Sequence, residues 1–127
     1  MNNAEDSMQG TENLIYDAVR DLSKDELENR VRNNAAAKHI VLKDEHMDVI
    51  NTLIEHYKQD CETHDCLAAH EQMRFLEEAY ASKGGGKYLY QLFDAMPDTN
   101  GVLMPIHELA GLPAVRLETD EGFGTAF

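Results

Sequence analysis

The chain has 127 residues, about the size of one domain, with 43% hydrophobic and 28% charged residues. Eleven Lys and Arg against 24 Asp and Glu leave a net charge of −13, which disfavours phosphate backbones and anionic membrane surfaces, since both are bound mainly through cations. No run nears the roughly 18 apolar residues of a membrane span, no basic and apolar leader opens the chain, and two Cys are too few for a disulfide framework, so the composition predicts a cytoplasmic protein with free thiols, protein partners, no nucleic acid and no membrane.

Residues 1–12 are polar and acidic and read as a tail. Over residues 13–21, Leu14, Ile15, Ala18 and Val19, followed by Leu22, have the spacing of a short amphipathic helix. Ser23-Lys24-Asp25-Glu26 matches a capping box opening a second helix over residues 24–33. Residues 42–59 carry the strongest periodicity, with Met47, Ile50, Leu53, Ile54 and Tyr57 on one stripe. Asp44 and Glu45 suit the first turn and Lys58 the last. A polar connection leads to a helix over residues 66–82, with Leu67, Met73, Leu76 and Tyr80 facing inward and Gly84-Gly85-Gly86 as its stop. Residues 87–93 read as two helical turns, residues 96–101 as a turn, and residues 105–110 as a short helix closed by Gly111. The organisation expected is an all-α domain over residues 13–113, with a flexible acidic arm over residues 114–127. A short N-terminal strand pair stays open.

Three His and both Cys fall within residues 56–70. Cys61, His64, Cys66 and His70 make a possible metal set, because thiolate and imidazole suit zinc and Cys66 and His70 share a helix face at i, i+4. The spacing is not that of a zinc finger, and a polar loop that merely contains these residues is the plainer reading. Cys61 and Cys66 are also close enough for a reversible disulfide or persulfide pair. A helix start at Cys66 would lower its thiol pKa, and Asp60, Glu62 and Asp65 would raise it. His46, beside Glu45 near the start of the long helix, reads as a surface or boundary histidine, and His107, in the last short helix, is unremarkable. Gly84-Gly85-Gly86-Lys87 lacks the phosphate-loop pattern, and no hydrolase, zinc-protease or dinucleotide fingerprint is present. The sequence thus names no cofactor. The helix pair 44–59 and 66–82 has helix-turn-helix proportions, but its second helix has one Arg and three Glu, a poor composition for a DNA groove.

Lys83-Gly84-Gly85-Gly86-Lys87-Tyr88-Leu89-Tyr90-Gln91-Leu92-Phe93 is similar to the K-G-[N/G]-[S/G]-[K/R]-Y-L-Y-x-L-F segment of the DsrC/TusE sulfur-relay family. Leu109-Ala110-Gly111-Leu112-Pro113 resembles its I-A-G-L-P segment, and His39-Ile40-Val41-Leu42-Lys43-Asp44-Glu45-His46 resembles its G-I-x-L-[ST]-x-E-H-W helix start, with Met47 in place of the Trp. The resemblance covers residues 38–118. It implies a small orthogonal helical bundle, often with an N-terminal hairpin, whose C-terminal arm carries sulfur as a persulfide. Family members serve tRNA thiolation or dissimilatory sulfite reductase.

Aligned on Ala110-Gly111-Leu112-Pro113, the terminal arm Cys of the family falls on Glu118 and the upstream arm Cys on His107, and residues 94–127 contain no Cys. Neither carboxylate nor imidazole can carry a sulfane sulfur. Two readings follow. In the first, the chain is a divergent, non-catalytic member that binds partners of sulfur-relay or sulfite-reductase type. Leu109, Gly111, Pro113, Glu118, Asp120 and Glu121 would then form the binding arm. In the second, thiol chemistry has moved to Cys61 and Cys66, by persulfide, disulfide or metal.

Overall fold

A computed structural model describes residues 14–63, 66, 68–94, 96 and 101–114. Among the described residues, six α-helices follow one another: α1 Leu14–Val19, α2 Lys24–Ala37, α3 Asp44–Asp60, α4 Ala69–Ala79, α5 Gly86–Phe93 and α6 Leu103–Ala110. A 3-10 turn, Ala81–Lys83, follows α4. The protein is all-α, and the described residues contain no strand. The acidic tail lies outside the described residues, as does Leu67.

The capping box is present. Ser23 Oγ accepts the Glu26 N–H at 3.1 Å, and the Ser23 N–H donates to Glu26 Oε1 at 3.0 Å. The helix it opens runs to Ala37, four residues beyond the expected end at Asn33. Two polar side chains explain the extension. Arg30 Nη1 donates to the Ala110 carbonyl at 3.2 Å and Asn34 Nδ2 to the Leu109 carbonyl at 2.7 Å. These bonds fix α2 along α6, its most extensive neighbour, and Ala35, Ala36 and Ala37 favour the extra turn. The helix then closes on His39, at φ 59°, with the Ile40 N–H donating to the Ala35 carbonyl at 2.8 Å and the His39 N–H to the Ala36 carbonyl at 3.1 Å. That is the hydrogen-bond pattern of a left-handed helix stop.

In α3 the predicted stripe is inside: Met47, Ile50, Leu53, Ile54 and Tyr57 are all buried, joined by Val49 and His46. They meet Ile15 and Val19 of α1, Leu76 of α4, Leu89 and Phe93 of α5, and Ile106 and Leu109 of α6 in one core. Each such side chain stabilises the fold by roughly 1.5–3 kcal/mol through area removed from water. Lys58, expected in the last turn of α3, donates to the Leu22 carbonyl at 2.6 Å and ties α3 to the segment after α1.

The start of α4 differs from expectation. It begins at Ala69 rather than Cys66, because Cys66 is bonded to Cys61 at the end of α3 and is drawn out of the helical path. Its end also differs: α4 stops at Ala79 with Tyr80 as its cap, short of the expected Ser82, and Gly84, at φ 122°, closes the 3-10 turn that follows. Among the described residues no helix is long and apolar enough to cross a membrane.

Candidate functional site

Tyr57 comes from the last full turn of α3 and His107 from the middle of α6, 50 residues apart in sequence. Their side chains meet at 2.6 Å between the Tyr57 hydroxyl and His107 Nε2. On the other side of the ring, His107 Nδ1 lies 2.6 Å from the Pro113 carbonyl. A carbonyl only accepts, so Nδ1 carries the proton, and Nε2 accepts the Tyr57 O–H. Both ring nitrogens are satisfied by a neutral imidazole. Burial lowers the His107 pKa, and the bond to Pro113 partly opposes this. Burial also raises the Tyr57 pKa. Neither group is poised to exchange protons near neutral pH.

The backbone around His107 is fixed as firmly. Gly111, at φ 72°, closes α6, with the Leu112 N–H donating to the His107 carbonyl at 2.9 Å. A Cβ at Gly111 would meet Arg30 Cδ at 3.2 Å. Lys38 pairs with Glu108 at 3.4 Å on the same flank. Of the arm residues expected from the sequence, Leu109 is buried, Gly111 turns the chain and Pro113 is anchored to His107. Glu118, Asp120 and Glu121 lie outside the described residues.

The second constellation centres on the cysteines. Cys61 and Cys66 form a disulfide, with Cα atoms 5.5 Å apart. This corrects the expectation of free thiols, and it leaves neither sulfur as a thiolate ligand in this form. Both residues are buried, with 1% and 3% of their surface exposed. Cys66 nonetheless lines a surface hollow of about 280 Å³ with His56, Asp60, Gln72, Arg74 and Phe75. His56 stacks on Phe75 at 3.8 Å between centroids, and its Nε2 lies 3.1 Å from Gln72 Oε1. Of the possible metal set, His64 lies outside the described residues and His70 is exposed on the first turn of α4. The described residues contain no group of three or more His, Cys, Asp or Glu arranged to hold an ion.

Sequence reasoning underrated two histidines. His46 and His107 are both buried. His46 Nδ1 accepts the Lys43 N–H at 3.0 Å, Nε2 donates to the Leu92 carbonyl at 2.8 Å, and the ring packs edge-on against Phe93. The available signal for His46 was its place three residues after Lys43 at a helix start, where a side-chain acceptor can cap the backbone. For His107 the signal was its place four residues after Leu103 and three before Ala110, both core positions, which puts it on the inward face of an eight-residue helix.

The family model described as DsrC-like protein matches residues 19–115. The match spans most of the chain, and the chain belongs to this family. No curated protein and no solved structure shows a significant match. Membership relates the protein to sulfur metabolism.

Proposed function

From that membership, we propose that this chain acts by binding a partner in place of carrying sulfur, as a regulatory or accessory member of a sulfur-relay or sulfite-reductase system. The observation that carries this reading is His107. Where the resemblance implies an arm thiol, the chain has a neutral, buried imidazole bonded on both sides, to Tyr57 and to Pro113. Sulfur transfer needs a thiolate, and residues 94–127 contain none. His107 instead anchors the root of the arm. Glu118, Asp120 and Glu121, further along the arm, bring negative charge suited to a basic channel on the partner.

A second reading rests on Cys66 facing the hollow beside His56, where an external thiolate could reach its sulfur. Attack there would release the Cys61 thiolate. Cys61 caps the C-terminal end of α3, next to Asp60. The helix dipole and the carboxylate both disfavour an anion there, so Cys61 is a poor leaving group. This favours a structural disulfide and the first reading.

The test is affinity capture followed by protein identification, comparing the intact chain, the Cys61→Ser/Cys66→Ser double variant and a chain truncated after Pro113. The proposal expects sulfur-relay or sulfite-reductase-type proteins with the first two and their depletion with the third. Retention by the truncated chain, with loss in the Cys variant, would move the function to the disulfide.

A further inference from the structure

Two surface hollows share one wall. His56 of α3 and Phe75 of α4, stacked 3.8 Å apart between ring centroids, line both. One hollow, of about 450 Å³, follows α3 and carries Asp48 and Glu55, with Lys24 as its cation. The other, of about 280 Å³, carries Asp60, Glu71 and Glu78, with Arg74. Asp48 accepts the Tyr80 O–H at 2.7 Å, and Asp60 lies 3.6 Å from His56 Nδ1. Glu55, Glu71 and Glu78 are exposed and make no ion pair among the described residues.

The second hollow also holds a buried donor. Gln72 is 2% exposed and forms part of its wall. Gln72 Oε1 lies 3.1 Å from His56 Nε2, and a carbonyl oxygen only accepts, so the ring nitrogen donates. The Gln72 amide nitrogen, with its two N–H groups, has no acceptor among the described residues. Buried donors are nearly always paired, and one left unmet is costly. The acceptor that completes this one has Glu71 and Glu78 beside it. Those carboxylates repel an anion and tolerate a neutral carbonyl.

We propose that the two hollows together dock a basic, extended segment of a partner protein. Lys or Arg side chains of that segment meet Glu71 and Glu78 in one hollow and Asp48 and Glu55 in the other. A main-chain carbonyl between them accepts from the Gln72 amide. The aliphatic stems of the basic side chains lie against the Phe75 and His56 rings, as such side chains do on apolar surface. Complementary charge then sets the rate of encounter and rejects acidic segments. The inference deepens the partner-binding reading, rests on it only for a protein occupant, and uses no arm residue.

The experiment is amide NMR on the full, oxidised chain, titrated with a capped peptide of alternating Lys and Gly, with its Glu and Gly counterpart, and with an equally charged polyamine. The proposal expects the Lys/Gly peptide to shift the amides of Glu55, His56, Glu71 and Gln72, and the Glu/Gly peptide to leave them in place. Glu55→Gln/Glu78→Gln, at two exposed side chains, should weaken the Lys/Gly peptide about fivefold. Asp17→Asn/Asp21→Asn, the same charge change at and just after α1, should not. Gln72→Met should weaken the peptide about fivefold, the worth of one hydrogen bond, and leave the polyamine, which has no carbonyl, unaffected. No shift at these amides, equal losses from the two charge pairs, or a Gln72→Met effect that is absent or shared by the polyamine would overturn it. The exposed Glu variants keep the test decisive if Gln72→Met fails to fold. Because the readout lies on α3 and α4, failure here leaves the arm's part in partner binding, tested by capture, standing.

Discussion

His107 joins Tyr57 to Pro113 through the two nitrogens of one neutral ring, each bond 2.6 Å long. The core of α3 and the root of the C-terminal segment therefore share one buried hydrogen-bonded unit. Removing the Tyr57 hydroxyl leaves His107 Nε2 without a donor in a site closed to water. Tyr57→Phe should therefore cost about 1–3 kcal/mol, the penalty of an unsatisfied buried acceptor. Urea unfolding of the two proteins checks this, with a lowered midpoint and an unchanged slope expected.

The same unit makes stability depend on acid. Burial sets the folded His107 pKa below its ordinary 6.5, so the unfolded chain takes up the proton first. The contribution is complete above pH 6.5 and is lost as the pH falls toward the folded value. The many carboxylates titrate too, so the informative quantity is a difference. His107→Gln should lose less stability than the native chain between about pH 7.5 and about pH 5, as read from urea midpoints at each pH.

The Cys61–Cys66 bond closes a very short loop at the end of α3. Chain-entropy reasoning assigns such a loop about 2 kcal/mol of stabilisation. Cys61→Ser/Cys66→Ser should lose about that much, and adding a strong dithiol to the native chain should lower its Tm by a similar amount. The variant's own Tm should not respond to the dithiol. Calorimetry with and without reductant gives all four values.

His39 has a positive φ of 59° without being glycine. The left-handed conformation costs a side-chain-bearing residue roughly 1–2 kcal/mol. The family pattern that this segment resembles has Gly at this position. His39→Gly should raise stability by up to about 1 kcal/mol, part of the gain being offset by the greater freedom of Gly in the unfolded chain. Gly111→Ala should do the opposite, losing more than about 1 kcal/mol, because its φ of 72° and the Arg30 side chain 3.2 Å from a new Cβ both resist it. Thermal melts of the two variants should move in opposite directions.

Much of this was legible in the sequence. The stripe from Met47 to Tyr57 defined α3 because five apolar residues recur at helical spacing. The Ser23–Glu26 box located the start of α2, since both partners lie within one turn. Its end was not legible. Asn33 and Asn34 are poor helix formers, and the bonds from Arg30 and Asn34 to α6, which local pattern does not show, join Ala35, Ala36 and Ala37 in carrying the helix onward. Cys66 was read into α4 because local pattern does not reveal a covalent tie to Cys61. The His107 unit was hidden for a similar reason: its partner Tyr57 lies 50 residues away, and a lone His in a short helix does not announce one.

The central claim is that this family member does not carry sulfur, and intact mass tests it most directly. The purified chain, oxidised and after reduction, is incubated with a low-molecular-weight persulfide donor, freed of donor and weighed. The account predicts no retained sulfur in either sample, and, before the donor is added, a reduced chain heavier by the two hydrogen atoms of the opened disulfide. A stable gain of sulfur mapped to Cys61 or Cys66 would contradict it and make the turn between α3 and α4 the carrier site.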